Sequence, residues 1–578
     1  MQTFYIGLAT TFHDPALAVV GPDGEVLFAE ATERFLQDKR AYTTAADVRG
    51  LVRRVIRDHC EPDAAYVIAK PWSSGFCRLL DLNYLSGITN HEKLSKRSPG
   101  MTRFLVDKSI LFQSLWQQHT SLKLSGGNLS SVLGVDFGNR NLKYVKFQHH
   151  LAHAANACFT SPFDEAACVI CDGQGESGSM TYLEYRHGRL KTLDQLKGPE
   201  SLGILYAVCT DFCGFSSEAG EEWKMMGLAP YGEIDAEILD ALRALVRIDG
   251  LKFKYPSLAG IEQWAAAMQK KARAKGALAI TAANLACTAQ HFYEETLTEL
   301  LRNFYKLGIS KNLVLGGGCA LNSSYNGKIL EQTGFERLHI PSAPGDDGNA
   351  LGCALLAYQA DHPDAKPSVT VQSPYLGSAI PRQSIDNLIR FGRFEKARNL
   401  PETLVEEAAR LLSEGKLLGW VQGRAEFGPR ALGNRSILAD PRSPDMKDRI
   451  NDLVKFREEF RPFAPSILDE FGPEYFENYQ CSPYMERTLR FRPEVVAKVP
   501  AVVHVNGTGR VQSVRREWNP RYHDLIAAFH KVTGVPILLN TSFNIMGKPI
   551  INSLEDAVGL FFTTGLDALV IGDYLIEK

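Results

Sequence analysis

The residues that most suggest chemistry lie between positions 423 and 468, where basic side chains alternate with glycine, proline and apolar residues. The sequence there is GRAEFGPRALGNRSILADPRSPDMKDRINDLVKFREEFRPFAPSIL. Its basic side chains include those of Arg424, Arg430, Arg435, Lys455, Arg457 and Arg461. Arginine presents paired donors that match phosphate and carboxylate oxygens, and glycine lets the backbone approach a ligand closely. We therefore predict an anion pocket here, built for a small phosphorylated substrate.

A second group of residues has the composition of a metal site. His149 and His153 lie one turn apart on an alanine-rich predicted helix, so both imidazoles share a face and can bind one cation. Asp172 ends an apolar strand, and Asp346 and Asp347 open a glycine turn. Two imidazoles and two carboxylates suit a borderline divalent metal such as Fe²⁺ or Zn²⁺. The alternative is an ordinary pair of helix histidines bonded to the backbone.

Two loops have the composition of ligand-binding segments. Residues 315–322 read LGGGCALN, and three glycines after a predicted strand let backbone N–H groups face a phosphate or a nucleotide. A tight turn between a strand and a helix explains the same glycines equally well. Residues 221–232 read EEWKMMGLAPYG, in which opposed charges and glycines are typical of a functional loop. Exposed ion pairs are the alternative for that segment.

Polar residues also mark turns near the C-terminus. Residues 504–510 form a glycine turn that ends in Arg510, and Asn540 and Ser542 lie at the end of a predicted strand. Because ligands of open α/β sheets bind outside the carboxyl ends of strands, these groups favour phosphate binding over simple capping of the next turn. Neither GxSxG nor a Walker GxxxxGK[ST] occurs. Catalysis by positioning and charge stabilisation is therefore favoured over a covalent enzyme intermediate.

The composition sets limits on the class of protein. The 578 residues are too many for one ordinary core, so we expect two large domains. The formal net charge of −2 argues against a broad nucleic-acid or membrane surface. The eleven cysteines form no regular framework, and neither a signal peptide nor a transmembrane run is expected. We therefore expect a cytoplasmic protein with no nucleic-acid or membrane partner.

The order of predicted elements indicates two α/β parts. A strand, an acidic turn and a hairpin open the chain, and a related arrangement recurs from position 166, which predicts a duplicated core of the actin and sugar-kinase type. Residues 361–377 carry three prolines without an apolar period and are predicted to be the linker. Helices and strands alternate again beyond it, so the second part is α/β as well.

The motifs, taken in order, resemble the O-carbamoyltransferases of the nodulation and antibiotic-tailoring type, which include the tobramycin, cephamycin and ansamycin enzymes. The resemblance covers nearly the whole chain. The matching motifs are FHD near the start, ERF at 33–35, HHLAH at 149–153, WKMMGLAPYG at 223–232, GGGCALN, PGDDGNALG, GRAEFGPRALGNRSILADPR, REEFRPFAPSIL, GRVQSV and LNTSFN.

The resemblance implies both architecture and activity. Residues 1–360 are expected to form an actin-like (ASKHA, Kae1-like) duplicated domain that binds metal and transfers the carbamoyl group. Residues 378–578 are expected to form a YrdC-like α/β domain that makes carbamoyl adenylate from carbamoyl phosphate and ATP. The carbamoyl group then passes to the hydroxyl of a small natural product, and AMP is released. A homodimer is one assembly that the resemblance allows.

The resemblance also assigns roles by position. The implied metal ligands are His149, His153, Asp172 and Asp347, holding Fe²⁺ first, with Zn²⁺ or Mn²⁺ as alternatives. The groups implied for carbamoyl phosphate and the ATP phosphates, with Mg²⁺, are Arg430, Lys455, Arg461, Arg510, Asn540 and Ser542. The residues implied near the adenylate are Lys224, Gly316, Gly317, Gly318 and Asn322. The groups predicted to act on the acceptor hydroxyl are His13, Asp14 and Lys39.

Some positions depart from the family pattern, and two other functions stay open. HDPAL, QDKR after ERF, and Lys548 differ from the usual residues, so the sequence does not identify the acceptor. A transferase of the tRNA threonylcarbamoylation type is one alternative, which the near-neutral charge disfavours. A non-catalytic sensor of nucleotides or metabolites is the other.

Overall fold

The computed structural model describes residues 2–11, 13–77, 120–368, 370–392 and 394–578. The sequence of residues 80–130 is polar and mixed and predicts no particular element, and residues 80–119 of that segment lie outside these ranges. Within the described ranges, no helix combines the length and the apolar composition that crossing a membrane requires.

The first sheet follows the apolar runs near the N-terminus. Its strands are β1 (Thr3–Ala9), β2 (Ala16–Val20), β3 (Val26–Ala31), β4 (Ala65–Lys70) and β5 (Leu142–Lys146). They lie in the order β3-β2-β1-β4-β5. The first three strands form an antiparallel meander, and β4 and β5 run parallel to β1. The predicted hairpin at Pro22-Asp23-Gly24 joins β2 to β3.

The second sheet repeats this arrangement. Its strands are β6 (Glu165–Cys171), β7 (Gly178–Arg186), β8 (Arg189–Lys197), β11 (Asn312–Gly316) and β12 (Arg337–His339). They lie in the order β12-β11-β6-β7-β8, again with an antiparallel meander followed by two parallel strands. Since order and direction both match those of the first sheet, the structure contains the duplicated α/β core that the two hairpins predict.

This half of the chain also contains helices, and two of them, α4 (His149–Phe159) and α12 (Gly348–Asp361), lie between the sheets and carry parts of the site. The helices of this half of the chain are α1 (Thr32–Leu36), α2 (Arg49–His59), α3 (Gly127–Ser131), α4 (His149–Phe159), α5 (Leu202–Phe212), α6 (Glu222–Leu228), α7 (Ala236–Leu245), α8 (Leu258–Lys271), α9 (Ala283–Tyr305), α10 (Ser323–Asn326), α11 (Ile329–Gln332) and α12 (Gly348–Asp361). Helices α4 and α12 pack on each other within a core formed by both sheets. A small β-ribbon, β9 (Arg247–Asp249) and β10 (Lys252–Lys254), stands apart.

Glycines allow the backbones of β1, α4 and α12 to touch. A Cβ atom on Gly7 would lie 1.7 Å from the Ala350 carbonyl oxygen, and one on Gly352 would lie 1.9 Å from that of Ala152. Both distances are far below van der Waals contact, so only glycine fits at these positions. The small residues of the HHLAHAANA stretch therefore allow α4 to pack closely, and its alanines also favour the helical conformation.

The C-terminal half is built on one mixed sheet of nine strands. In spatial order these are β13 (Ala397–Asn399), β21 (Tyr574–Glu577), β20 (Ala568–Ile571), β14 (Leu418–Val421), β15 (Arg435–Ala439), β19 (Ile537–Ser542), β16 (Ala464–Leu468), β18 (Thr508–Val514) and β17 (Arg487–Arg490). The β14–β20 and β16–β18 pairs are parallel and the other neighbours are antiparallel. Strands β14 and β16 are buried along their whole length, as the apolar sequences LGWV and APSIL predict.

Helices cover this sheet, and short turns connect its strands. The helices are α13 (Arg382–Phe391), α14 (Leu404–Ser413), α15 (Met446–Ile450), α16 (Gly472–Tyr475), α17 (Pro493–Val496), α18 (Pro520–Thr533) and α19 (Leu554–Thr563). Helix α18 begins with an Asn519 cap and a proline at its first position, and ends at Gly534 in the left-handed region. A π-helical turn, Asn451–Lys455, follows α15 and carries Lys455.

Candidate active site

One large cavity lies between the duplicated sheets and the nine-stranded sheet. Its volume is about 850 Å³. Residues from both halves of the chain line it, among them His13, Asp172, Lys224, Asp346, Arg430, Lys455, Arg461 and Arg510. The cavity therefore connects Asp172 and Asp347, two of the predicted metal ligands, to the predicted anion pocket in one continuous space, while His149 and His153 lie behind its lining.

Four side chains from three elements meet at one end of this cavity. His149 and His153 lie on the first turns of α4, Asp172 follows β6, and Asp346 lies in the turn before α12. The Nε2 atoms of the two histidines are 3.2 Å apart. His149 Nε2 lies 3.3 Å from Asp172 Oδ2 and 3.3 Å from Asp346 Oδ1. The corresponding distances from His153 Nε2 are 3.6 and 3.3 Å.

These four groups fit a divalent metal ion. Bonds of about 2.0–2.2 Å to a tetrahedral metal place neighbouring ligand atoms roughly 3.3–3.6 Å apart, which is close to the spacing observed. Both histidines are buried. Burial disfavours a charged imidazole, yet Asp346 and Asp172 outweigh it and raise the pKa of His149 to about 10. Two carboxylates so enclosed call for positive charge between them, which a divalent cation supplies.

The sequence predicts Asp347 as the fourth metal ligand, but the structure places Asp346 there. The four groups that share one centre are His149, His153, Asp172 and Asp346. Asp347 turns the other way, and its Oδ1 accepts a hydrogen bond from Gly348 N at the start of α12. Burial, and then the charge of Asp14, raise the pKa of the Asp347 carboxyl to about 7. Asp347 still lines the cavity beside the cluster.

Groups that the sequence analysis does not identify hold His149 in place. The Trp72 indole stacks on the His149 imidazole, with ring centroids 4.4 Å apart and an interplanar angle of 25°. Glu176 accepts hydrogen bonds from Ser73 N (2.7 Å), Ser73 Oγ (2.6 Å) and His149 N (3.2 Å). A carboxylate at the first turn of a helix is favourable, and Gln148 provides no side-chain cap of its own. Outer partners of this kind orient metal ligands.

The glycine loop supports Asp172 as well as lining the cavity. Gly318 N donates to Asp172 Oδ1 at 3.0 Å, which fixes one oxygen of that carboxylate. Gly317 has a φ of +87°, and a Cβ there would lie 2.3 Å from the Cys171 carbonyl oxygen. Gly318 lines the cavity, whereas Gly316 lies within β11. The turn therefore brings backbone against the end of β6, as the interpretation of LGGGCALN as a tight turn predicts.

Asn322 and Lys224 both line the cavity. The Asn322 side chain accepts from Tyr325 N, so it caps α10, and it also exchanges hydrogen bonds with Gln290. Lys224 Nζ pairs with Glu221 at 2.7 Å and with Glu458 at 2.8 Å. Because Glu458 belongs to the C-terminal half, Lys224 connects the two halves across the cavity.

The other end of the cavity is strongly basic. The basic residues that line it are Arg430, Lys455, Arg457, Arg461 and Arg510. Burial, and then repulsion from neighbouring guanidinium groups, lower the pKa of Arg430, Arg457 and Arg510. Glu458 pairs with Arg461 at 3.5 Å, but among the described residues no ion pair is recorded for Arg430 or Arg510. So much unbalanced positive charge has the electrostatic character of an anion site.

Aromatic rings and one lysine organise this basic end. Arg461 lies 3.9 Å from the centroid of Trp223, and Arg457 lies 4.2 Å from that of Phe463. Lys455 Nζ donates to the Ser542 carbonyl and to Asn544 Oδ1, the latter at 2.7 Å, with Ser542 Oγ at 3.3 Å. The Lys455 ammonium therefore secures the loop after β19 as well as adding charge.

Three predicted anion-binding side chains have structural partners instead. Asn540 is not among the lining residues, and its amide nitrogen donates to Ser466 and Gln512 inside the sheet. Arg424 and Arg435 also stay outside the cavity lining, since their guanidinium groups donate to backbone carbonyl oxygens, such as those of Gly377 and Gln422. Sequence alone shows their charge but not which way they face.

His13, Asp14 and Lys39 all line the cavity, and His13 and Asp14 lie near the four-residue cluster. His13 Nδ1 lies 2.8 Å from Asp14 Oδ2 and 4.0 Å from Asp346 Oδ2. Lys39 Nζ lies 5.6 Å from the Trp223 ring, and burial lowers the Lys39 pKa. The structure therefore brings His13 and Asp14 to the metal end of the cavity, whereas Lys39 lies by Trp223, the ring that Arg461 also contacts.

Sequence comparison identifies the class of protein to which this fold, four-residue cluster and basic pocket belong. Residues 5–355 match the family model described as Carbamoyltransferase N-terminus, and residues 409–578 match the one described as Carbamoyltransferase C-terminus. The chain belongs to the carbamoyltransferase family and is a carbamoyltransferase, as the motif series predicts.

Its relatives include nodulation proteins. NolNO of Sinorhizobium fredii is 37% identical over 80% of this chain and 68% of its own length. NolO of Bradyrhizobium diazoefficiens is 37% identical over 74% of this chain and 78% of its own length. The uncharacterized protein sll1178 of Synechocystis is 33% identical over 100% of this chain and 97% of its own. Among solved structures, (R)-2-hydroxyglutaryl-CoA dehydratase component A from Acidaminococcus fermentans aligns over 62% of this chain and 99% of its own length. Its sequence identity is 12% and its TM-score is 0.32, so the similarity is weak.

Proposed function

We propose that this carbamoyltransferase is ATP-dependent and acts on a hydroxyl group of a small natural product. Carbamoyl phosphate and ATP, with Mg²⁺, give carbamoyl adenylate at the basic end of the cavity, and the carbamoyl group is transferred at the metal end. The single observation that carries this proposal is the continuous cavity that has Asp172 and Asp346 at one end and Arg430 and Arg510 at the other.

The atoms balance in three steps. Water releases inorganic phosphate from carbamoyl phosphate and leaves carbamate. A carbamate oxygen attacks the α-phosphorus of ATP, so a new P–O bond forms and pyrophosphate leaves. The acceptor hydroxyl oxygen then attacks the carbamoyl carbon, AMP leaves with the electron pair of the broken C–O bond, and the hydroxyl proton passes to a base. Each carbamate ester formed therefore costs one ATP and yields AMP, pyrophosphate and phosphate.

The basic side chains serve the first two steps. Arg430, Arg461 and Arg510 hold phosphate oxygens and stabilise the charge that develops on phosphorus, because half-buried guanidinium groups are preorganised for this. Lys455 adds charge and keeps the Ser542 loop against the substrate. Lys224, Asn322 and the glycine loop lie beside the adenylate.

The metal end serves the transfer. His149, His153, Asp172 and Asp346 would hold a divalent ion, Fe²⁺ or alternatively Zn²⁺ or Mn²⁺. Such an ion supplies Lewis-acid polarisation of a carbonyl or phosphoryl oxygen when it is bound. His13, oriented by Asp14, is the candidate to take the acceptor proton. Lys39 adds positive charge beside the leaving adenylate.

We further propose two domains: residues 1–360, actin-like and of Kae1 type, and residues 378–578, of YrdC type, joined by residues 361–377. Support comes from the two matching five-stranded sheets and from the separate nine-stranded sheet. The proposed partners are small molecules only, in a cytoplasmic enzyme.

The test uses purified full-length protein supplied with Fe²⁺, ATP, Mg²⁺ and carbamoyl phosphate, with and without a panel of polyhydroxylated acceptors. We expect pyrophosphate and AMP that depend on carbamoyl phosphate, and a carbamate ester 43 mass units above the acceptor, roughly as one added CHNO group requires. Arg510→Met, which lacks one guanidinium of the basic end, should need more carbamoyl phosphate to reach the same rate. Absence of carbamoyl-phosphate-dependent pyrophosphate would refute the ATP-dependent route.

A further inference from the structure

The Arg40 segment has unusual backbone geometry beside the acceptor end of the cavity. Among the described residues, nine non-glycine residues have positive φ, and five of these are Asp14, Gln37, Arg40, Ala41 and Thr43. The left-handed region is unfavourable for residues with a Cβ, and such residues persist only where surrounding contacts enforce them. Their concentration at residue 14 and within residues 37–43 therefore indicates a segment that is held in a required shape.

Arg40 contacts Asp14 through both its backbone and its side chain. Asp14 N donates to the Arg40 carbonyl oxygen at 2.8 Å. The Arg40 guanidinium donates through Nη2 to Asp14 Oδ2 at 3.4 Å. The same Oδ2 lies 2.8 Å from His13 Nδ1. One carboxylate oxygen of Asp14 therefore connects the guanidinium to the imidazole.

Other elements hold Arg40 itself. Arg40 N donates to Glu33 Oε2 at 2.8 Å, and Nη1 donates to the Glu218 carbonyl at 3.3 Å. The guanidinium carbon lies 5.3 Å from the Tyr42 ring centroid. Gly220 has a φ of +66°, and a Cβ there would lie 2.7 Å from Arg40 Nη1, so this glycine leaves the room that the guanidinium occupies.

We propose that Arg40 is a positioning residue for the transfer step: it fixes the Asp14 carboxylate, and through it the His13 imidazole that faces the acceptor hydroxyl. This inference rests on the proposed function, because it concerns the step in which the acceptor oxygen bonds to the carbamoyl carbon, AMP leaves and the hydroxyl proton is taken up. A third group that orients a base by way of a carboxylate is a recurrent arrangement in enzymes. Arg40 itself touches neither the anion pocket residues nor a metal ligand in the described contacts.

The test separates the two half-reactions. Formation of carbamoyl adenylate is measured without acceptor as carbamoyl-phosphate-dependent exchange of labelled pyrophosphate into ATP. Transfer is measured as carbamate ester formed from an acceptor. In Arg40→Gln we expect transfer to fall on the order of tenfold to a hundredfold, at or below the roughly 10²–10⁴-fold that a general acid or base itself contributes, while exchange stays within about twofold. Arg40→Lys keeps the charge and should retain more transfer activity than Arg40→Gln. The exposed Arg49→Gln on α2, which removes a pairing with Asp136, should leave both half-reactions unchanged.

A double-mutant cycle tests the route through Asp14. If Arg40 acts by way of Asp14, Asp14→Asn combined with Arg40→Gln should lose no more transfer activity than Asp14→Asn alone. Losses that multiply, equal loss of exchange and transfer, or unchanged transfer in Arg40→Gln would each overturn the inference. Absence of exchange in the unmodified enzyme would instead refute the proposed function, so the two failures are distinguishable.

Discussion

The indole of Trp72 lies face to face with the imidazole of His149, with the two ring centroids 4.4 Å apart. Trp72 is itself fixed, since its Nε1 donates to the Thr10 carbonyl at 3.0 Å. A histidine that carries a metal must keep its ring plane aligned with the ion, and a stacked ring restricts that plane. Trp72 thus links the first sheet to a candidate metal ligand on α4.

We predict that Trp72→Ala weakens divalent-metal binding by about tenfold, the lower range for outer partners of metal ligands, and that Trp72→Phe largely restores it. Co²⁺ titration followed by its absorption bands measures the affinity. Trp518→Phe, a tryptophan that stacks with Arg515, serves as the control. Equal Co²⁺ affinity in Trp72→Ala and the unmodified protein would show that the stack has no such role.

Neighbouring aspartates provide a matched pair for the metal site. Asp346→Asn removes one of the two negative charges around the cluster, so we expect loss of stoichiometric metal. Asp347→Asn leaves the four ligands intact and should retain the metal, because Asp347 bonds to Gly348 N instead. Metal content of the two purified variants, measured by elemental analysis, decides between them. The reverse pattern would assign Asp347 to the metal after all.

Removing one guanidinium from the basic end should weaken anion binding. A hydrogen bond to a charged group contributes roughly 1.5–3 kcal/mol, so we expect Arg510→Met to raise the KM for carbamoyl phosphate by about tenfold or more. Arg490→Met, a change at an exposed arginine on β17, should not alter it. The effect should also grow at low salt, because Arg510 acts through its charge. If the ratio between the KM of Arg510→Met and the KM of the unmodified protein stayed the same at every salt concentration, a contact between Arg510 and phosphate would be contradicted.

Lys455 should have a measurable effect on the loop that it holds. In Lys455→Met the contacts to Ser542 and Asn544 are lost, so we predict faster hydrogen exchange in residues 543–549 together with weaker substrate binding. Lys531→Met on the exposed side of α18 is the control. Exchange in the loop that matches that of the unmodified protein would indicate that Lys455 contributes charge alone.

Periodicity and spacing predict much of this molecule from its sequence. The two hairpins predict the duplicated sheets, and an i, i+4 pair correctly selects His149 and His153 for one helix face. His150 faces elsewhere, where its Nδ1 meets Thr181 Oγ1 at 2.7 Å. The local sequence pattern is sufficient for the hairpins and for the histidine pair, because each of these features lies within a single hairpin or helix.

The remaining features depend on contacts between distant segments. Asp346 and Asp347 share one turn, and only packing against His149 and Gly348 decides which carboxylate faces the cluster. Arg435 carries the same charge as Arg430, yet it is fully buried among carbonyl groups. Trp72 and Glu176 have no spacing signal, since neither lies near His149 in the chain.

The contacts at Gly7 and Gly352 have a consequence for how such enzymes diversify. The backbones of β1, α4 and α12 touch directly at these glycines. No side chain lies between them whose rotation would let the two duplicated sheets move relative to each other at this contact. His149 lies on α4 and Asp346 lies in the turn before α12. The distance between the two residues is therefore fixed by the contact between the backbones of these helices. Loops at the rim of the cavity that lie outside this backbone contact, and outside the constrained residues 37–43, are where sequence change would leave the four candidate metal ligands in position.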